Sequence, residues 1–203
     1  MWDTTDGAKS YGYYYPPLNK EYQGPEDEQP PLLVKGFAVL DVNYRGSSGY
    51  GREYRDALKK KWGISDIEDC CSGAQFLADT GKADPARLLI DGGSAGGFAA
   101  LAALTFHKVF SAGTSFYGIS DLVTLAMDTH KFESRYLDTL IGPYPQDEEI
   151  YKARSPINHT GQLDCALALF QGSEDKVCPP DQSIKMYEAV RDKGRPVVYK
   201  EFE

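Results

Sequence analysis

The feature that most restricts how this chain can fold is one short turn. Gly92-Gly93-Ser94-Ala95-Gly96-Gly97 follows the strand-like run Arg87 to Asp91 (RLLID) and precedes the Ala-rich, helix-like run Phe98 to Phe106. Glycines on both sides of a serine let a chain reverse from strand to helix within a few residues. The pattern satisfies G-x-S-x-G, in which the serine occupies a strained turn that lifts its hydroxyl above a sheet edge. Gly92 and Gly96 fall where backbone and helix are expected to approach most closely. The turn also aims the first helical amides at a reacting carbonyl. Ser94 is therefore a candidate nucleophile and the Ala95 N–H a candidate oxyanion donor. Two other readings use the same residues: Ser94 as an ordinary helix N-cap, or the glycines as a phosphate loop. No Lys follows the glycines, and Ser94 occupies the place of the second glycine in G-x-G-x-x-G, which weighs against the phosphate loop.

The flanking sequence predicts an α/β protein. The aromatic run Tyr11 to Tyr15 reads as a strand, residues 19–31 as a Pro-rich surface loop, and Leu32 to Val34 as the start of a short strand. Phe37 to Val42 (FAVLDV) is nearly continuous in apolar residues and predicts a buried parallel strand. Helices are expected over 52–60 and 66–79, the second with Ile67, Cys70, Cys71, Ala74 and Leu77 on one face. Further strands are expected to end at Tyr117 and to span Ala166 to Phe170 and Val197 to Phe202, with a helix over Gln182 to Arg191. Strands alternating with helices indicate one α/β domain over residues 1–203, without repeats.

Composition narrows the function classes. Thirty acidic against 22 basic residues give a net charge of -8, which argues against nucleic acid as a partner. No apolar run approaches the length of a membrane span, and the opening MWDTTDGAKS lacks the regions of a signal peptide. Cys70, Cys71, Cys165 and Cys178 are too few and too irregularly spaced for a disulfide scaffold or a zinc site. The expectation is a reducing, cytoplasmic location, with the sequon at Asn158 unglycosylated and no metal or organic cofactor.

A serine nucleophile needs a base, and the base an orienting acid. In G-x-S-x-G hydrolases the acid follows a late strand and the histidine comes last. The loop Gln171 to Val177 (QGSEDKV) offers Asp175, with Glu174 as a rival and a solvated turn carboxylate as the plainer alternative. His107, His130 and His159 all precede Asp175, so none has the expected chain order.

GGSAGG, DVNYRGSSGYGREYRDAL (41–58), YGISDL (117–122), YKARSPI (151–157) and FQGSEDKVCPPDQS (170–183) together resemble the catalytic domain of prolyl oligopeptidase family serine peptidases. The acylaminoacyl-peptidase and dipeptidyl-peptidase-like branch is the most similar. The resemblance spans roughly Tyr11 to Glu203. It implies an α/β-hydrolase with a mostly parallel sheet and helices on both faces, Ser94 as nucleophile, and Asp175 rather than Glu174 as the acid. It also implies hydrolysis of short peptides through an acyl-enzyme. Two departures stand out. Family members carry an HGGP-type segment, which helps form the second half of the oxyanion hole, before the strand resembling GFAVLDVNYRG. Here Val34 is followed directly by Lys35-Gly36-Phe37, too short for a crossover between parallel strands. The family's Gly-His-Gly-type loop and its N-terminal propeller have no counterpart in the sequence, which implies an incomplete fold and weak or absent turnover. Removing one oxyanion donor alone costs about 10²–10³ in rate. A carboxylesterase or lipase on the same fold, a peptide-binding pseudoenzyme and a truncated product without stable function are the alternatives.

Overall fold

The computed structural model describes residues 1–17, 36–128 and 135–203. Three short strands come first: β1 (Trp2–Asp3), β2 (Lys9–Tyr15) and β3 (Val39–Asn43). Helices α1 (Gly51–Asp56) and α2 (Ser65–Asp79) lead into β4 (Leu89–Gly93), α3 (Ala95–Phe106) and β5 (Ala112–Phe116). Helices α4 (Leu122–Asp128), α5 (Tyr136–Leu140) and α6 (Glu148–Arg154) follow, with a 3-10 segment, Pro156–Gln162, before β6 (Ala166–Gly172). The chain closes with α7 (Pro180–Asp192) and β7 (Val197–Phe202).

Strands β4 to β7 form one parallel sheet in sequence order. Every connection between them contains a helix, as parallel neighbours require. Alternation decides which face is core. On β6, Leu167, Leu169 and Gln171 are buried, whereas Ala166, Ala168 and Phe170 on the other face are only partly covered. Leu167 and Leu169 pack with Leu101 and Leu104 of α3 and with Met186 and Val190 of α7. Helix α2 joins the same layer, its Ile67 and Cys71 packing with Phe98, Ala102 and Ala103. Gly97 to Thr105 of α3 are all buried, so this helix is apolar around its whole circumference. The α/β-hydrolase class holds. Of its two helical layers, the helices α2, α3 and α7 all belong to one.

The stretch Phe37 to Val42 departs from expectation. Its strand, β3, is not parallel and not fully buried: it pairs antiparallel with β2 along its whole length, from Tyr11↔Asn43 to Tyr15↔Val39. Apolar continuity reports burial on both faces and says nothing of strand direction, which the aromatic β2 decides here. The expected strand over Leu32 to Val34, the Val34–Lys35 junction and the whole of the expected loop over 19–31 lie outside the described residues.

The helix expected over 52–60 ends at Asp56. Lys60 has φ 58°, which a helix does not tolerate, and the backbone beyond it is taken up by tertiary partners. Lys60 N–H donates to the Thr139 carbonyl at 2.9 Å, and Arg154 donates to the carbonyls of Lys60 and Trp62 at 3.0 and 2.8 Å. Helix α2 forms as expected, Ile67, Cys71 and Leu77 being buried. It also buries Asp69, which receives the Arg45 guanidinium at 2.8 and 3.0 Å and the Arg45 N–H at 2.7 Å. Asp6 takes the remaining guanidinium nitrogen at 2.7 Å, so Arg45 ties the β1–β2 turn to α2. None of the helices among the described residues is long and apolar enough to cross a membrane.

Candidate active site

Ser94 is the single residue between β4 and α3, and its φ/ψ of 54°/-117° lies in a region that L-residues rarely occupy. Its N–H donates to the Phe116 carbonyl at the end of β5, 3.0 Å away, and its own carbonyl accepts the Phe98 N–H at 3.0 Å. The serine side chain makes no capping bond, which disposes of the N-cap reading. Ser94 and Ala95 are exposed at the carboxyl edge of the sheet. Ala95 N–H, on the first residue of α3, stands outside the intrahelical ladder and is free to meet an incoming oxygen.

The steric need for glycine falls partly where the motif suggests. A Cβ on Gly92 would lie 2.4 Å from the Gly96 carbonyl oxygen, so that position admits no side chain. A Cβ on Gly96 would meet nothing within 4 Å. The tight position on the helix is instead Gly97, where a Cβ would lie 2.6 Å from Gly118 Cα. The expectation for Gly96 is corrected accordingly: its backbone is crowded, while its Cα faces open space.

Asp175 lies in the loop after β6, two strands across from β4. Strand spacing separates these two strands by about 10 Å. Asp175 Oδ1 accepts the N–H groups of Val177 and Cys178, both at 2.9 Å. Its Oδ2 has no partner among the described residues. Glu174 is exposed and makes no such bonds. The loop is anchored from below: Gln171 donates to the Cys178 carbonyl at 2.8 Å, and Ser183 of α7 donates to Gln171 Oε1 at 2.9 Å. One carboxylate oxygen is thus fixed and the other left open.

The two histidines among the described residues are elsewhere. His107 follows the last residue of α3, a helix of 12 residues and so about 18 Å long, at the end opposite Ser94. His159 is at that same end, its ring 5.2 Å from the ring of Phe106. Burial lowers the pKa of His107. His130 lies outside the described residues. No group of three or more His, Cys, Asp or Glu side chains that could hold a metal ion occurs among the described residues.

Two supports were not visible in sequence. Tyr117, at φ 41°, donates its N–H to the Phe170 carbonyl at 2.7 Å, and its hydroxyl would lie 2.8 Å from a Cβ on Gly93. It joins the nucleophile turn to the strand that carries Asp175. Gln182 of α7 accepts the N–H groups of Ser120 and Asp121 at 2.9 and 2.8 Å, latching the YGISDL segment beneath the site. Their partners Phe170 and Gln182 lie 53 and 62 residues further along the chain, so no local signal records them.

The model of the prolyl oligopeptidase family matches residues 26–203. The chain belongs to that family. Its members are serine peptidases on the α/β-hydrolase fold. Dipeptidyl aminopeptidase BIII of Pseudoxanthomonas mexicana is 30% identical over 174 residues, which is 83% of this chain and 25% of that protein. A puromycin-hydrolyzing peptidase of Mycobacterium tuberculosis superposes with a TM-score of 0.91 at 45% identity, over 99% of this chain and 34% of its own. An acylaminoacyl peptidase in complex with Z-Gly-Gly-Phe-chloromethyl ketone gives 0.80 at 28% identity, over 96% of this chain and 35% of its own. The chain therefore spans about a quarter to a third of the length of these relatives.

Proposed function

We propose that the protein is a serine peptidase acting on short peptides through an acyl-enzyme on Ser94. The observation that carries this reading is the uncapped, exposed Ser94 set on the same sheet edge as an Asp175 with one open carboxylate oxygen. Family membership and the peptidase names of the relatives support it. Ser94 Oγ attacks the scissile carbonyl carbon, and the Ala95 N–H receives the resulting oxyanion. An imidazole oriented by Asp175 Oδ2 takes the hydroxyl proton and hands it to the departing amine; water then cleaves the acyl ester by the reverse path. His107 and His159 both stand at the end of α3 opposite this edge, and slow turnover by the 203-residue chain is the expected outcome.

Peptide anilides, with blocked and with free N-termini, test the reading when assayed beside a p-nitrophenyl ester, with and without added imidazole. Slow peptide hydrolysis that imidazole stimulates and Ser94→Ala abolishes is expected. Hydrolysis that survives Ser94→Ala, or that is confined to the ester, would overturn it.

A further inference from the structure

On β6 the buried face runs Leu167, Leu169 and then Gln171, so an amide stands where a third leucine would extend the core. A buried amide is costly unless its hydrogen bonds are made, and here they are. Gln171 Nε2 donates to the Cys178 carbonyl at 2.8 Å and lies 3.3 Å from the Gly172 carbonyl, while Oε1 accepts the Ser183 hydroxyl at 2.9 Å. The reversed amide would set Oε1 against carbonyl oxygens, so chemistry fixes its orientation. Ser183 follows Gln182 in α7, whose Oε1 accepts the N–H groups of Ser120 and Asp121 and whose carbonyl lies 2.9 Å from the Ser120 hydroxyl. Three residues before Ser120, the Tyr117 N–H donates to the carbonyl of Phe170, the neighbour of Gln171. Chain and hydrogen bonds together close a ring through Tyr117, Phe170, Gln171, Ser183, Gln182 and Ser120. The last four of these are buried.

We infer that Gln171 is a positioning residue for the acid, a role that rests on the reading of Ser94 as nucleophile and Asp175 as its carboxylate. Gln171 touches neither the substrate nor the reacting atoms. It holds the carbonyl of Cys178, the residue whose N–H holds Asp175 Oδ1 at 2.9 Å. Fixing that carbonyl restrains the backbone of Cys178, and with it the direction in which Asp175 Oδ2 points. At the other end of the ring Tyr117 bears on the residue before the nucleophile, its hydroxyl 2.8 Å from where a Cβ on Gly93 would lie. Acid and nucleophile are thereby held by one frame. A leucine at 171 would add burial alone, whereas a fully satisfied buried network specifies one geometry. Displacing a catalytic group by 1 Å can cost about 10²-fold in rate, so such a frame acts on kinetics more than on stability.

Fluorophosphonate labelling of Ser94 in the 203-residue chain, with and without added imidazole, tests this role. Gln171→Met keeps the length of the side chain and removes its amide. It should leave labelling without imidazole within about twofold, because Phe116 and α3 hold the nucleophile turn. It should cut the stimulation by imidazole at least about threefold and raise the imidazole concentration at half-saturation. Ser183→Ala, which removes one bond of Gln171 and leaves the other, should show the same split at smaller size. Adding Gln171→Met to Asp175→Asn should change nothing further, since the amide acts only through the carboxylate. Full stimulation in Gln171→Met beside its loss in Asp175→Asn would overturn the inference and spare the reading of Ser94 and Asp175. Equal falls with and without imidazole in both single variants would mark a purely structural role and overturn it too. If the unsubstituted chain shows no stimulation that depends on Asp175, the reading itself fails and the inference falls with it.

Discussion

At Ser94 the backbone is held where most residues avoid going, and the surrounding contacts show how. The Phe116 carbonyl and the first turn of α3 fix its N–H and C=O, while Gly92 leaves room for the Gly96 carbonyl. Strain of this kind costs about 1–3 kcal/mol and is retained where a side chain must be presented. Ser94→Gly should therefore stabilise the fold by about 1 kcal/mol in denaturant unfolding while removing the nucleophile. Gly92→Ala should cost about 2–3 kcal/mol by overpacking, whereas Gly96→Ala should be neutral or gain up to about 1 kcal/mol from helix propensity. Equal losses at the two positions would contradict the steric account. Gly92 was legible because its constraint is local, whereas the tight helix position, Gly97 and not Gly96, was not, since it answers to Gly118. Tyr117 was not, since its role comes from a ring lying on Gly93 and a carbonyl on a strand 53 residues later, at Phe170.

Among the elements, α2 carries the most consequential buried charge. Arg45 and Asp69 are both buried, and Arg45→Ala would strand the Asp69 carboxylate. Breaking such a pair costs about 3–5 kcal/mol, which thermal unfolding would register as a large drop in Tm. Asp66, in the first turn of the same helix, is pushed up to about 6 by burial, although it accepts the Gly63 N–H at 2.7 Å. Its folded pKa is thus above its unfolded value of 3.8. Its contribution is fully present below the unfolded value and is lost as the pH rises through about 6. Stability should fall between about pH 4 and 6, and Asp66→Asn should flatten that slope; an unchanged slope would contradict the burial argument. Periodicity revealed the apolar face of α2 and the strands β4 to β7. It failed at Phe37 to Val42, because strand direction depends on a partner distant in sequence. It also failed over 57–60, where Thr139 and Arg154 draw the backbone out of the helix.

At the scale of the whole molecule, the helices α2, α3 and α7 pack on one face of the β4–β7 sheet among the described residues, and the candidate catalytic groups share that sheet's carboxyl edge. Sequence motifs gave the fold class and the two groups, since G-x-S-x-G and the GSED loop are contiguous. The fixing of one Asp175 oxygen and the opening of the other emerge only from tertiary arrangement. The central claim is that Ser94 and Asp175 form two corners of a triad with room for an imidazole. It is tested most directly by the rate at which a fluorophosphonate labels Ser94 as imidazole is added. The account predicts slow labelling that rises at least about tenfold and saturates with imidazole, a rise lost in Asp175→Asn and all labelling lost in Ser94→Ala. Rapid labelling of Ser94 that ignores both imidazole and Asp175, or labelling at another residue, would contradict it.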